Sequence, residues 1–461
     1  MPQRYDAIVI GAGQSGPSLA ARFAQADMKV ALIEREHLGG TCVNDGCIPT
    51  KTLVASARAA HVVRNARSYG VDAGGGEMRV DMRAVKARKD AVVNQSVANL
   101  TSWLGGLATL TLIRGEARFV APNRVRVGSD ELEAPKIFIN VGGRSTVPDW
   151  PGIHDVPYLT NTTMMDVDFL PEHLVIVGGS YIGLEFAQMY RRFGGRVSVI
   201  EAAPQLIARE DTEVSAEVRA ILERDGIAIE TGVKNLSMAR DGQGARVSFD
   251  AERGAPQAIT GSHVLLAVGR RPNTDGLGLD AAGIATDARG YVVVDDELRT
   301  NVPGVWAMGD VNGKGAFTHT SYNDFEIVAA NVLDGGARRV SDRITTYGLF
   351  IDPPLGRIGM SEAEVRASGR AALVATLPMA RVGRARERGE TDGFMKVLVD
   401  ASTHMILGAA LLGIEADEVV QLLLLAMAAG LPYTRIQQTM WIHPTVTELL
   451  PTLFAALKPL A

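Results

Sequence analysis

The chain has 461 residues, 46% of them hydrophobic and 21% charged, with a net charge of −5. That length suggests two to four domains, and the mildly acidic balance argues against nucleic acid or an anionic membrane as the main partner. The two cysteines are too few for a disulfide-stapled fold, and their scarcity fits a reducing cytoplasm.

The N-terminus, MPQRYDAIVIGAGQSG, enters a short apolar strand at once, without the longer apolar region of a signal peptide. Gly11, Gly13 and Gly16 follow that strand. A helical stretch is expected over 17–25, then a second strand, KVALIE, ending at Glu34. Strand, glycine turn, helix, strand and terminal acid in that order point to a dinucleotide site. The glycines let the backbone turn sharply and approach a pyrophosphate, whose charge sits at the helix N-terminus. Glu34 can accept hydrogen bonds from a ribose diol.

The next segment, GGTCVNDGCIPTK over 39–51, holds both cysteines, Cys42 and Cys47. A stapling role is weak, because so short a loop removes little entropy from the unfolded chain. A metal role needs more ligands, and no second cysteine pair exists. Residues five apart on an ideal helix are separated by ~7.5 Å along the axis, beyond the ~4.4–6.8 Å that spans bridged Cα atoms. A bond between them therefore calls for an irregular helix start. A redox pair that opens and closes is the favoured reading.

The glycine device returns at EHLVIVGGSYIGLEFA, with Gly178, Gly179 and Gly183, followed by a helix and the strand RVSVIE ending at Glu201. The interval from Gly11 to Glu34 equals that from Gly178 to Glu201. Ser180 takes the usual second-glycine position, so the backbone approach is expected to be looser there. Two sites imply two cofactors, one donating to the other. The first βαβ unit leads straight into the cysteine segment, so its cofactor should stay beside the pair and pass electrons to it, as a flavin can. FAD is thus expected at the first site, with metal at neither, and NADH (NADPH being possible) at the second. Glu201 should bond a free 2′-OH and repel a 2′-phosphate. Arg209 follows, and pairing with its neighbours Glu210 and Asp211 is one expectation for it. The longest apolar run, 419–431, is too short to span a bilayer. It reads as a buried helix, at a subunit interface or simply in the core.

Together these motifs resemble the flavin-dependent pyridine nucleotide–disulfide oxidoreductases, a family that includes glutathione reductase, dihydrolipoamide dehydrogenase and mercuric reductase. The resemblance covers essentially the whole chain. It implies an α/β fold with two Rossmann-like domains, for FAD and NAD(P), and a C-terminal α+β dimerisation domain. The expected boundaries are 1–148 and 268–340 for FAD, 149–267 for NAD(P), and 341–461 for the interface. It further implies that Cys42 meets substrate and Cys47 lies against the flavin. Lys51 matches the lysine near the flavin, and Glu185 its partner. Asp310 in TNVPGVWAMGD matches the residue that bonds the ribityl chain. VGRRPNT, with Gly269 and Arg270, looks like the return to the flavin domain. Gly40, Thr41 and Gly142 complete the expected cofactor cradle, and Tyr181 resembles a gating tyrosine over the nicotinamide pocket.

IHPTVTE resembles the family's C-terminal catalytic motif, with His443 as acid–base and Glu448 orienting it, both acting on the cysteine pair of the other subunit of a homodimer. Opening a disulfide does produce a thiolate that needs a proton, and histidine suits that task near neutrality. Pro444 fits the first turn of a helix. The C-terminus, TLFAALKPLA, lacks the extra thiol pair of mercuric reductase, and Trp441 stands where dihydrolipoamide dehydrogenases usually carry a second histidine. AFTHTSYNDFEIVAAN and DPPLGRIGMSEAEVRASG are similar to a mercuric-reductase-like branch that includes the reactive-chlorine-resistance flavoprotein. That likeness implies a small disulfide, a metal ion or an oxidant as acceptor. A dihydrolipoamide dehydrogenase and a redox sensor with little turnover are the alternatives. The basic run RVGRARERGE, with Arg381, Arg384, Arg386 and Arg388, is expected to be a solvated loop, with an anionic subsite as the other reading. His319 is assigned no role.

Overall fold

The computed structural model describes residues 1–72, 78–252, 254 and 256–460. Strand β1 (Ala7–Ile10) is fully buried, and so is β2 (Val30–Glu34). Such unbroken apolar runs are what a parallel sheet covered on both faces requires. Between them lies α1 (Ser15–Ala24), which begins two residues earlier than the sequence pattern implies and buries Leu19, Ala20 and Phe23. The sheet has five parallel strands in the order Val305–Ala307, Ile137–Ile139, β1, β2, Leu110–Arg114. Its last strand in the chain thus comes from far downstream. After β2 the chain forms a short helix, α2 (Gly40–Asn44), and a long one, α3 (Cys47–Asn65).

A second parallel sheet has the order Ala228–Glu230, Arg196–Ile200, β3 (His173–Val177), His263–Leu266. Helix α4 (Tyr181–Phe193) crosses from β3 to Arg196–Ile200. A three-stranded antiparallel meander, Lys234–Asp241, Gly244–Asp250 and Pro256–Gly261, is attached to it. Helix α5 (Thr318–Leu333) then returns to pack on α1.

The C-terminal part is a six-stranded antiparallel sheet, in the order Thr346–Leu349, Leu355–Gly359, Ile406–Leu412, Phe394–Asp400, Ala372–Pro378, Lys458–Pro459. Helix α6 (Ala416–Ala428) covers one of its faces. The apolar run expected to be a buried helix is therefore buried on one side only. Val419, Val420, Leu423 and Ala426 pack inward, while Leu425 is 69% exposed. With one sheet to lean on, a helix that is apolar all round leaves a greasy outer face. No helix among the described residues is long and apolar enough to cross a membrane.

The three parts are pinned together by buried ions. Asp352, beside the C-terminal sheet, takes Arg58 of α3 at 2.5 Å and Arg192 of α4. Arg357, 2% exposed, donates to Glu210 at 2.7 Å and to Asp211 at 3.0 Å. Lys396, equally buried, reaches Asp211 at 3.2 Å and Glu362 at 2.7 Å. Arg209 is thus not paired with its neighbours, because those carboxylates turn inward to cations of the C-terminal sheet. Its guanidinium lies instead 5.8 Å from the rings of both Tyr181 and Tyr347.

Candidate active site

The helix break that brings the cysteines together is local. Asp45 closes α2, its N–H donating to the Thr41 carbonyl at 3.0 Å, but it has left helical geometry (φ −141°, ψ 20°). Gly46 is neither helical nor extended (φ −131°, ψ −116°), and α3 starts afresh at Cys47. Outside the bend, Asn161 Nδ2 donates to the Asp45 carbonyl at 3.0 Å and Thr162 to its carboxylate. The two sulfurs are free thiols here, and hydrogen bonding between them acts on the two in opposite directions.

That bond splits the pair. Cys47 is drawn down to about 6 by the hydrogen bond from Cys42, with the Thr318 hydroxyl (2.9 Å) and the Lys51 charge adding to it against the cost of burial. Cys42 is pushed well up by the same bond and by burial. The thiolate is thus favoured on Cys47, which has the Thr318 hydroxyl at 2.9 Å, and the proton on Cys42.

Lys51 Nζ donates to Glu185 Oε2 at 2.5 Å, and the Phe350 N–H holds Glu185 Oε1 at 3.0 Å. The ring of Phe350 lies 4.6 Å below the same ammonium. Three distant segments thus meet at one cation. Tyr181, at the start of α4, meets Phe317 and Tyr347 edge-on at 5.6 and 5.7 Å. Its hydroxyl is buried without a hydrogen-bond partner among the described residues. Tyr347 is tied by its own hydroxyl to Glu210 at 2.6 Å.

The two glycine loops are built alike. A Cβ on Gly11 (φ +100°) would lie 2.2 Å from the Asn140 carbonyl oxygen. One on Gly178 (φ +118°) would lie 2.3 Å from that of Ala267. Only glycine fits either place. Glu34 closes the first loop by accepting the Ala12 N–H at 2.8 Å and the Glu36 N–H at 2.8 Å. Glu201 closes the second, from Gly179 and Ala203, both at 2.6 Å. Gly16 and Gly183 serve helix packing, since a Cβ there would strike the Gly11 and Gly178 carbonyls at 2.1 and 2.0 Å.

One cavity of about 2330 Å³ runs past Gly11, Gly13, Glu34, Gly40, Thr41, Cys42, Cys47, Lys51, Gly142, Tyr181, Glu185, Arg270 and Asp310. Gly16, Gly178, Gly179, Gly183, Glu201 and Gly269 stand behind or beyond that wall. The residues fit FAD. The loop between β1 and α1 offers backbone to a pyrophosphate, and Glu34 stands at the end of β2. The Asp310 carboxyl on the cavity wall is pushed up by burial, which Arg270 at 3.7 Å only partly offsets, and it can take a further hydrogen bond from a ligand. Asp324 supports it from behind, accepting the Gly309 N–H at 2.6 Å and Asn312 at 2.9 Å.

His443 and Glu448 do not line this cavity. His443 Nδ1 bonds Glu448 Oε2 at 2.8 Å, and its side chain is 80% exposed. The expected pairing is present, but Pro444 does not open a helix. Helical residues begin only at Thr447, because Thr445 turns its hydroxyl back to the Ile442 carbonyl at 2.8 Å. Trp441 donates its indole N–H to the Ile436 carbonyl at 3.1 Å. The basic run is not a loop, although Arg381, Arg386 and Arg388 are exposed as expected of a solvated segment. It forms a turn, Met379–Arg381, and a short helix, Gly383–Glu387, with Met379, Val382 and Ala385 buried beneath. His319 donates from Nε2 to the Thr346 carbonyl at 2.7 Å and stacks on Phe317, and burial pushes it toward the neutral form.

Sequence reasoning missed Thr318, Asn140, Tyr347 and Asp324. Asn140 receives Ser15 at 2.7 Å and donates to the Gly11 carbonyl at 3.1 Å, so it clamps the first glycine loop. Thr318 lies next to the histidine that FTHTS drew attention to, but nothing local marks it.

Comparison with known proteins agrees with this geometry over the full length. Residues 5–324 match the model for pyridine nucleotide-disulphide oxidoreductases, and residues 345–454 match that family's dimerisation domain. The chain is 36% identical over 463 residues to a probable pyridine nucleotide-disulfide oxidoreductase, RclA, of Escherichia coli, covering 99% of this chain and all of that one. It is 35% identical to a mercuric reductase of Streptomyces lividans, covering 96% of this chain and 94% of that one. A dihydrolipoyl dehydrogenase of Thermus scotoductus is 33% identical, with 96% and 95% covered. The solved copper(II) complex of the HOCl-induced flavoprotein disulfide reductase RclA from Escherichia coli superposes with a TM-score of 0.89, at 36% identity and 99% coverage of both chains. The chain belongs to the pyridine nucleotide-disulphide oxidoreductases, a family of flavoprotein enzymes that work with FAD and a pyridine nucleotide.

Proposed function

We propose that this oxidoreductase draws electrons from NAD(P)H into the Cys42–Cys47 pair and hands them to a small disulfide, a metal ion or an oxidant. FAD, when bound, would carry the electron pair between the nicotinamide and the sulfurs. It would be held by the loop of Gly11, Gly13 and Gly16, by Glu34, and by Asp310, with Lys51 and Glu185 beside its ring. This division of the chain takes 1–148 with 268–340 as the FAD part, 149–267 as the nicotinamide part and 341–461 as the interface.

The single observation that carries the reading is a free cysteine pair on the wall of the large cavity, with the Thr318 hydroxyl 2.9 Å from Cys47. That setting favours the thiolate on Cys47 and the proton on Cys42. Cys42 must therefore lose that proton to become a nucleophile, and a base has to come from outside its own cavity. His443, exposed and braced by Glu448, fits that need in a neighbouring subunit. Cys42 then attacks one sulfur of the acceptor. The acceptor's S–S bond breaks, a mixed disulfide forms, and the leaving thiolate takes the proton from His443 of the partner subunit. Attack by the Cys47 thiolate on Cys42 closes the internal disulfide and releases the second half as a thiolate, which takes its proton from solvent. With copper(II), two ions would each take one electron as the pair closes. The copper(II) complex of the relative RclA supports that option.

Anaerobic titration of the holoenzyme with NADH tests the reading. A long-wavelength absorption band from the Cys47 thiolate is expected after two electrons. It should fade only as the pH falls through about 6. Removing the donor in Thr318→Val should move that midpoint up. Direct bleaching with no band at any pH between 6 and 8 would refute the role of the pair, and the sensor reading would then gain.

Nicotinamide choice follows from Glu201. Its carboxylate closes the second loop, and a 2′-phosphate brought beside it would meet a like charge that costs several kcal/mol. NADH should exceed NADPH in kcat/KM by at least ~10-fold, which corresponds to about 1.4 kcal/mol. Equal values, or the reverse, would overturn this assignment.

A further inference from the structure

We propose that Arg384 is a positioning residue for His443. The proposal rests on the reading of His443 as the group that exchanges protons with the cysteine pair. The imidazole itself is held by one polar contact, to Glu448, and is otherwise exposed. Its place in space is therefore inherited from the loop that carries it. Inside that loop Thr445 bonds the Ile442 carbonyl at 2.8 Å and receives the Glu448 N–H at 3.2 Å, and Val446 is buried. Arg384 ties the loop down from outside. Its Nη2 donates to the Pro444 carbonyl at 2.6 Å, one residue beyond His443. Its Nη1 lies 3.3 Å from Glu387 on the same turn. The short helix Gly383–Glu387 stands on buried Met379, Val382 and Ala385, so the tie reaches from the core of the C-terminal sheet to the histidine loop. Arg388 of the same run points elsewhere, toward Glu415 at 3.7 Å.

A carbonyl acceptor beside the histidine makes Arg384 an orienting group rather than a seat for an anionic substrate. The step it serves is the one where Cys42 displaces a thiolate. Cys42 gives its proton to the free Nε2 and attacks, the acceptor S–S bond breaks, and the leaving thiolate recovers that proton from Nε2. An alkylthiolate needs the proton, whereas an aromatic thiolate of low pKa leaves without it. Misplacing an acid–base group by about 1 Å costs on the order of 100-fold.

Holoenzyme reduced anaerobically with one equivalent of NADH should be mixed with bis(2-hydroxyethyl) disulfide or with 4,4′-dithiodipyridine, both neutral. Arg384→Ala should slow the alkyl disulfide roughly 10- to 100-fold. It should slow the aromatic one clearly less, because that thiolate needs no acid and only the deprotonation of Cys42 then calls on His443. Reduction of the bound flavin by NADH should not change. Arg384→Lys, which keeps a donor, should recover part of the rate. In a His443→Gln background, Arg384→Ala should cost nothing more, since the two act as one unit. Equal losses with both disulfides, or an undiminished loss in the His443→Gln background, would overturn the proposal. If Arg384→Ala dissociates on sedimentation, Arg384→Gln judged by the same cycle decides the matter. An unchanged alkyl rate in His443→Gln alone would instead remove the acid–base reading, whatever Arg384→Ala does.

Discussion

Cys42→Ser should lower disulfide reduction at least ~1,000-fold, because an alcohol neither attacks a disulfide at neutral pH nor forms a reducible bond with Cys47. Reduction of the bound flavin by NADH should persist, since Lys51, Glu185 and Tyr181 are untouched and the nicotinamide side does not use Cys42. Stopped-flow absorbance separates the two halves. The companion Cys47→Ser should also stop turnover, but at a different point. Cys42 would still attack, and without the resolving thiol the mixed disulfide would accumulate. Intact mass spectrometry would read it as one added half-disulfide on Cys42. Turnover of a disulfide surviving in Cys42→Ser would rule out the assignment of the two sulfurs.

A large effect on stability is expected from Arg357→Met. The guanidinium is 2% exposed and bonds both Glu210 and Asp211, whose side chains are 0% and 4% exposed. Removing it leaves Glu210 buried without a cation and Asp211 with Lys396 alone, and breaking a buried pair in this way costs about 3–5 kcal/mol. Urea unfolding at pH 7 would show the loss. A change below about 1 kcal/mol would mean that water or Lys396 takes over the compensation. The pH dependence has a definite sign. Burial alone would raise Asp211, but Arg357 and then Lys396 hold it below the usual carboxylate value. A depressed carboxylate contributes stability above its unfolded pKa, near 4, and loses it as the pH falls through the folded value. The gap between wild type and Arg357→Met should therefore narrow below about pH 4.

What the sequence reveals is whatever depends on near neighbours. The glycine loops with Glu34 and Glu201 are legible because a tight turn admits few residue types and the closing acid stands at a fixed distance along the chain. The cysteine segment is legible because a five-residue spacing cannot bridge on a regular helix, and the break at Asp45 and Gly46 resolves that conflict. The partners of these groups are a different matter. Thr318 reaches Cys47 across 271 positions, and Arg357 reaches Glu210 across 147. Neither leaves a local trace, so Arg209 was open to being paired with the acids beside it when those acids belong to another sheet. Pro444 shows a related limit. Proline favours a helix start on propensity alone, but the Thr445 hydroxyl takes the Ile442 carbonyl and keeps the backbone in a turn. The outward face of α6 was hidden for a similar reason, as a run of apolar residues does not say how many surfaces will cover it.

The strand Val305–Ala307 pairs with Ile137–Ile139 across more than 160 residues of intervening chain. During synthesis, the edge at Ile137–Ile139 emerges from the ribosome long before its neighbour exists. At ~5–20 residues per second, that edge stays open for roughly ten to thirty seconds. An apolar strand with unpaired N–H and C=O groups invites pairing with other chains while it waits. The intervening second sheet can fold during this interval, because its four strands all lie between residues 173 and 266. A ribosome stalled just before residue 305 would therefore hold a finished middle and an unfinished frame around it, the form of this protein most exposed to aggregation.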